Sequence, residues 1–299
     1  MPEGGALVEI TNRTVQGRFL FCPSRELNDI VLGILGRAQR LHPIRVCHVA
    51  VLSNHLHLLL DADNAEQVSD FMEYVNGNLA REVNHLTGWS GPVFERRYTM
   101  ILVSNEEAAQ VERFRYSLSQ GCKENLVERV EDWPGIHSAR AFLGGEPLTG
   151  HWFSRTQERA ARLRGEEFEP LQYATCETLV LSPLPCWKHL SSEEYRKLVA
   201  DLVCDIDREA AVARASTGSP ALGREAILSQ DPHHRPDRIA KSPAPFAHAA
   251  SKAARLALYE AYGWFVAAYR EAAEKLRRGD RTVCFPAGSF PPALPFVPG

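Results

Sequence analysis

His55 and His57 stand two residues apart inside Val46–Asp61, VCHVAVLSNHLHLLLD, a run rich in leucine and β-branched residues. The run reads as two strands broken near Ser53-Asn54. Side chains on a strand repeat every two residues, so both imidazoles leave from one face while Leu56 points to the other. Two imidazoles placed this way can share one divalent cation through a nitrogen each. A sheet that merely carries two half-exposed histidines would show the same pattern. A bare His-x-His does not separate the two.

A second pair lies some sixty residues downstream. In EEAAQVERFRYSLSQGCKENLV, Ala108, Val111, Phe114 and Leu118 recur at helical spacing, which predicts an amphipathic helix. Tyr116 and Gln120 are four apart and fall on one face of it, a turn from each other. The tyrosine offers a nucleophilic oxygen and the amide a neutral oxygen ligand. Taken alone, a partly buried tyrosine beside a surface glutamine explains the pair as well.

Taken together and in order, these residues resemble the HUH single-tyrosine transposases, the insertion-sequence-200-like group that includes the REP-associated tyrosine transposases. The family's His-hydrophobic-His strand is matched by His55-Leu56-His57, and its tyrosine followed four residues later by Gln or Asn by Tyr116 and Gln120. Between them, Gly91-Pro92-Val93-Phe94 and Arg96-Arg97-Tyr98 match a Gly-x-Val-aromatic turn and a basic-aromatic strand. Leu126-Val127 and Asp132-Trp133-Pro134 match the segment that follows the tyrosine. The resemblance covers about residues 5 to 145. REP-associated members usually carry Asn-Pro where this chain has Gln120-Gly121.

The resemblance implies an α+β fold, a ferredoxin-like (RRM-like) antiparallel sheet covered by helices. It implies metal-dependent nicking and rejoining of single-stranded DNA through a 5′-phosphotyrosine on Tyr116. Its metal, Mg²⁺ or Mn²⁺, would be held by His55 and His57, with Gln120 as third ligand; histidine suits Mn²⁺ better. The implied partner is single-stranded DNA, with or without a hairpin end. One tyrosine carries one covalent link at a time, which points to a homodimer for complete transposition. Two other classes compete: a non-catalytic nucleic-acid-binding module, and a metal-dependent nuclease in which water attacks.

These residues need elements to position them. Leu7–Arg13 and Gly17–Phe21 read as two strands, and Ser24 caps a helix over roughly 26–41. Strands are expected over about 44–52 and 55–61, then a helix over about 65–86. Its Asn76, Asn78, Arg81, Asn84 and His85 could touch nucleic acid or simply face water. Val93–Val103 reads as a strand carrying Arg96, Arg97 and Tyr98, suited to hold a phosphate or stack a base. An edge strand with ordinary surface arginines would look alike.

The domain organisation follows from where the resemblance ends: residues 1–148 as the catalytic domain, 149–299 as a mainly helical extension with a proline-rich tail. Helices are expected over about 153–163, from Ser191 to about 213, over 221–228, and over about 246–278. Asp231–Pro245 reads as a polar loop with His233, His234, Arg235, Arg238 and Lys241. Neighbouring histidines on an irregular loop seldom chelate unaided.

Composition bounds the remainder. The 299 residues are 44% hydrophobic and 24% charged, as expected for a soluble globular protein. The N-terminus lacks a basic start and an apolar run, and no stretch is long enough to span a membrane, so a cytoplasmic protein is expected. Seven scattered cysteines, none spaced as Cys-x-x-Cys, read as reduced thiols. The net charge of −3 is unusual for a DNA-binding chain. Residues 1–150 carry 14 Lys and Arg against 19 Asp and Glu, the rest 20 against 18. Any hold on phosphate must therefore rest on local contacts.

Overall fold

A computed structural model of the chain describes residues 1, 4–237 and 245–293. Arg238 and Lys241 of the polar loop, and the last six residues of the proline-rich tail, lie outside the described residues. The first half is built from β1 (Ala6–Arg13), α1 (Arg25–Leu41), β2 (Arg45–Leu52), β3 (His55–Ala62), α2 (Ala65–Thr87) and β4 (Thr99–Val103). Then come α3 (Glu107–Leu118), α4 (Gln120–Lys123) and α5 (Ala139–Gly144). The second half adds β5 (Leu148–Phe153), α6 (Arg155–Leu163), β6 (Ala174–Leu179), α7 (Ser192–Thr217), α8 (Arg224–Leu228), β7 (Ala247–His248) and α9 (Lys252–Arg277).

The main sheet runs β2-β3-β1-β4-β7. β1 is antiparallel to both β3 and β4, β2 is antiparallel to β3, and only β7 joins in parallel. The β-α-β-β-α-β order with β1 and β3 at the centre is the expected ferredoxin-like arrangement, and the second half is mainly helical. Period-two alternation divides the sheet into two unlike faces. Val8, Ile10, Val49, Val51, Leu56, Leu58 and Leu60 pack with Ile30 and Ile34 of α1 and Phe71 and Val75 of α2. On the opposite face Leu7, Leu52 and Leu59 pack with Phe114, Leu118, Trp133 and, from α7, Val199 and Val203.

Local chemistry explains where the elements start. Ser24 accepts from Leu27 N and Asn64 from Gln67 N, each satisfying an amide that the first helical turn leaves free. Ser191 and Glu194 form a capping box that opens α7.

Several sequence expectations need correction. No strand forms over 17–21: Gln16 and Gly17 take left-handed backbone angles, φ 55° and 64°, which turn the chain away from extended structure. The strand expected over 93–103 is confined to Thr99–Val103, with Phe94 making only an isolated bridge to Thr14. Arg96, Arg97 and Tyr98 therefore sit on a bent approach to β4 and not within it. Tyr116 and Gln120 do not share one unbroken helix, because α3 ends at Leu118 and α4 begins after Ser119.

The β5–β6 hairpin was not foreseen. It straddles residue 148 and lies across α1 with the backbones almost touching. A Cβ on Gly33 would come 2.1 Å from the His151 carbonyl carbon, and one on Gly150 would come 2.0 Å from Asp29 O. Only glycine permits that approach. The second half thus covers both layers of the first. Among the described residues no helix is long and apolar enough to cross a membrane, and all seven cysteines are free.

Candidate active site

His55 and His57 open β3 beside β1, opposite Arg13 and Thr11 in register. Both project onto the face that carries α3, and their ring centroids lie 5.0 Å apart. Tyr116 comes down from α3 to meet them, its ring 6.3 Å from that of His57 at 72°. The structure therefore brings His55, His57 and Tyr116 together from two elements far apart in sequence.

The group that joins them is Glu9, at the middle of β1 and fully buried. One carboxylate oxygen meets His57 Nδ1 at 3.0 Å, and the other accepts from Arg113 Nε at 2.5 Å and also from its Nη2. Burial pushes the Glu9 carboxyl up, but the hydrogen bond and charge of His57 and the Arg113 guanidinium outweigh it and hold the group below its ordinary value. A carboxylate only accepts, so Nδ1 of His57 carries a proton toward Glu9 and Nε2 is the ring nitrogen left for another partner. Thr11 Oγ1 lies 3.3 Å from the same Nδ1. His55 is fixed similarly, its Nδ1 2.6 Å from Asn54 Oδ1. Burial first, then His57 and Arg13, push the His55 imidazole well below its usual value, so it stays neutral.

That donor set fits a cation. The two imidazoles lie side by side on one face, and a buried carboxylate holds Nδ1 of His57, the support that metal-binding histidines ordinarily have. Among the described residues no group of three or more His, Cys, Asp or Glu side chains is placed to hold a metal ion. Gln120 is buried and donates Nε2 to Tyr116 O at 3.0 Å. Nitrogen-rich sites of this kind suit Mn²⁺ better than Mg²⁺.

Cations also flank the tyrosine. The Arg113 guanidinium carbon lies 4.4 Å from the Tyr116 ring centroid and Lys123 Nζ lies 4.2 Å from it. Arg115, one residue before Tyr116, pairs with Glu209 of α7 at 2.6 Å, which ties the second half to this helix. Arg113 is itself paired with Glu9, so the ring has one ion-paired cation and Lys123 against it.

Sequence reasoning missed Glu9, Arg113 and Lys123. A signal for Glu9 was present: an acid at the centre of the apolar strand ALVEITNR falls on the face that receives the histidines. Arg113 is one turn before Tyr116 on α3, so its reach to the ring follows from helical spacing.

Behind α3 lies a second buried histidine pair. His137 bridges Ala50 as part of a short run that extends the edge of β2, and its ring centroid is 5.2 Å from that of His48. His48 Nδ1 meets Ser138 Oγ. Burial holds both below their usual values, His137 at about 4. Their Nε2 atoms face the Ser117 and Leu118 carbonyls, where α3 stops, without closing a hydrogen bond.

Arg96 and Arg97 are exposed at the end of the sheet where His55 begins β3, with Arg97 5.4 Å from the Tyr98 ring centroid. Glu95 N donates to Arg13 O, one strand away from His55.

Residues 22–114 match the family model described as transposase, IS200 like. The match contains both histidines, Arg96, Arg97, Tyr98 and Arg113, and stops two residues before Tyr116. No curated protein matches the chain. Among solved structures, a REP-associated tyrosine transposase bound to a REP hairpin is 16% identical, with a TM-score of 0.37, covering 49% of this chain and 85% of its own. A protein described as a transposase from Deinococcus radiodurans R1 is 22% identical, with a TM-score of 0.29, covering 37% of this chain and 88% of its own.

Proposed function

We propose that the chain, whose residues 22–114 match the IS200-like transposase family model, nicks and rejoins single-stranded DNA through a 5′-phosphotyrosine on Tyr116. The observation that carries this is Glu9, which grips the metal-ligand candidate His57 with one oxygen and Arg113, stacked on the tyrosine ring, with the other. Glu9 thereby ties the candidate ligand His57 to the arginine that lies over the Tyr116 ring.

His55 and His57 would hold Mn²⁺ or Mg²⁺, with Gln120 as third ligand. When bound, such a cation neutralises charge on the non-bridging oxygens of a phosphodiester. Tyr116 Oη attacks the phosphorus and gives its proton to solvent, while the bond to the 3′-oxygen breaks and that oxygen takes up a proton from solvent to leave as a 3′-hydroxyl. Arg113 and Lys123 set positive charge against the ring as it gains negative charge and against the incoming phosphate. The product keeps the bond energy in the tyrosyl ester, so a second 3′-hydroxyl can reverse the step without ATP. Arg96, Arg97 and Tyr98 would steer the strand toward the site. One tyrosine per chain makes two protomers the working unit for a full transposition.

An unpaired substrate fits this reading, since a strand free of its partner can bend to bring one phosphate to the histidines and the tyrosine together. Incubation with end-labelled single-stranded oligonucleotides and Mn²⁺ tests the proposal. The expected products are a denaturant-resistant protein band carrying the 3′ portion of the strand and a released fragment ending in a 3′-hydroxyl. Cleavage without an adduct would establish attack by water, and binding without cleavage would establish a non-catalytic module. Equal rates on a fully paired duplex would refute the substrate form.

A further inference from the structure

The second half returns to the end of the sheet where β3 begins. Residues 220–235 cross it as a strap. Leu222 N and Gly223 N donate to the carbonyls of Asn125 and Leu126, at 3.0 and 2.9 Å, just past α4. Ile227 is fully buried, and Ser53 Oγ donates to Gln230 Oε1 at 2.8 Å, two residues before His55. Farther on, Phe19 N donates to His234 O at 3.2 Å, and Arg18 Nη1 donates to His233 O at 2.5 Å. The strap thus runs from the tyrosine side, past the turn that precedes His55, to the basic-aromatic edge.

Flat groups gather at its far end. The Trp89 ring has the Arg18 guanidinium carbon 4.9 Å from its centroid and the His233 ring edge-on at 5.6 Å. His234 lies against Phe19 at 5.1 Å. His233, His234 and Arg235 are all exposed, so core packing does not account for their character. Aromatic rings interleaved with arginine planes are what unpaired bases stack upon. The cluster also adjoins the reaction centre. Thr14 N donates to Asn54 O on one side while Thr14 bridges Phe94 on the other, so a single strand separates the turn before His55 from the run that leads to Arg96.

We propose that His233, His234 and Arg235 of the strap, together with Arg18 and Trp89, form a second binding surface for the unpaired DNA strand adjoining the scissile phosphate. The inference rests on the strand-transfer function proposed above. It makes the extension part of the substrate path, so affinity for unpaired flanks is set in part by residues beyond the family-matched segment. Paired DNA, with its bases already stacked, has no free face to offer this surface.

The test uses the full chain without added metal and a fluorescent single-stranded DNA of about twenty nucleotides. The double variant His234→Ala/Arg235→Ala, both residues exposed, should bind roughly tenfold more weakly, within the range for losing one stacked base. DNA binding should quench tryptophan emission, and Trp89→Phe should lose part of that quench. Both variants should keep the wild-type melting temperature, and DNA duplex binding should not change. Unchanged single-strand affinity together with undiminished quenching would overturn the inference, even if adducts form normally. A weakened double variant in a protein that makes no adduct would support the surface while overturning the chemistry of Tyr116.

Discussion

One sheet presents two faces built from alternate residues of the same strands. Toward α1 and α2, β1 and β3 contribute Val8, Ile10, Leu56, Leu58 and Leu60, all apolar and buried. Toward α3 the same strands contribute Glu9, Thr11, His55 and His57 among Leu7 and Leu59. The first face does what hydrophobic burial does and needs no particular partner atom. The second is tolerable only because its polar groups satisfy one another: an unpaired carboxylate at the Glu9 position would cost several kcal/mol. Stability and chemistry are thus separated by a single residue step along each strand, and substitutions on the two faces should fail differently.

Replacing Tyr116 by Phe removes one oxygen from the polar side. Covalent adduct formation should vanish while the melting temperature and DNA affinity stay at wild-type values; any remaining adduct would assign the nucleophile elsewhere. Next in size, His55→Ala or His57→Ala should each remove most cleavage. A chelator should abolish wild-type activity and Mn²⁺ restore it, so full activity in chelator would sink the metal assignment.

Glu9→Gln keeps the shape but cannot hold both neighbours as an anion. Mn²⁺ affinity, measured by calorimetry, should fall about 10- to 100-fold. Partial rescue by excess Mn²⁺ would identify positioning as the role, whereas wild-type affinity would leave Glu9 a structural ion pair.

Acid should loosen the α3 face selectively. An unfolded histidine titrates near 6.5, whereas His137 is held at about 4 in the fold. The unfolded chain therefore binds the proton first. Stability present above pH 6.5 drains away as pH falls toward 4, by up to about 3 kcal/mol for this one group. Urea unfolding of wild type and His137→Gln across that window checks it; parallel curves would contradict it. The smallest effect belongs to the apolar face: Ile10→Val should cost about 0.5–1.5 kcal/mol and leave adduct yield per folded molecule unchanged. A lowered yield would show that the two faces are not separable.

Spacing alone set His55 with His57 and Tyr116 with Gln120 without deciding what they do; the ordered resemblance singled them out and implied the ferredoxin-like sheet. The local periods placed α1, β2, β3 and α2 but also suggested a strand over 17–21 that does not form. Glu9, Arg113 and Lys123 were not legible, because their meaning depends on register between β1, β3 and α3, which no window of sequence contains. The end of α3 at Leu118 was hidden too, in a sequence that reads as continuous helix. The β-bulge at Cys47, which lets both Val46 and His48 reach their proper faces, leaves no mark in the alternation. The β5–β6 hairpin escaped because ATCETL is largely polar and exposed, and what holds it is a glycine-lined contact with α1 rather than a hydrophobic stripe. The strap was legible only as a polar loop; its contacts reach residues near the chain's beginning.

The most direct measurement is the identity of the residue that becomes linked to DNA. After reaction with single-stranded DNA and Mn²⁺, nuclease trimming and trypsin, cleavage after Arg115 and Lys123 should release Tyr116–Lys123 as a single peptide, YSLSQGCK. Mass spectrometry should find the nucleotide remnant on this peptide, with fragmentation placing it on Tyr116. A remnant on any other residue, or cleaved DNA with no modified peptide, would contradict the account.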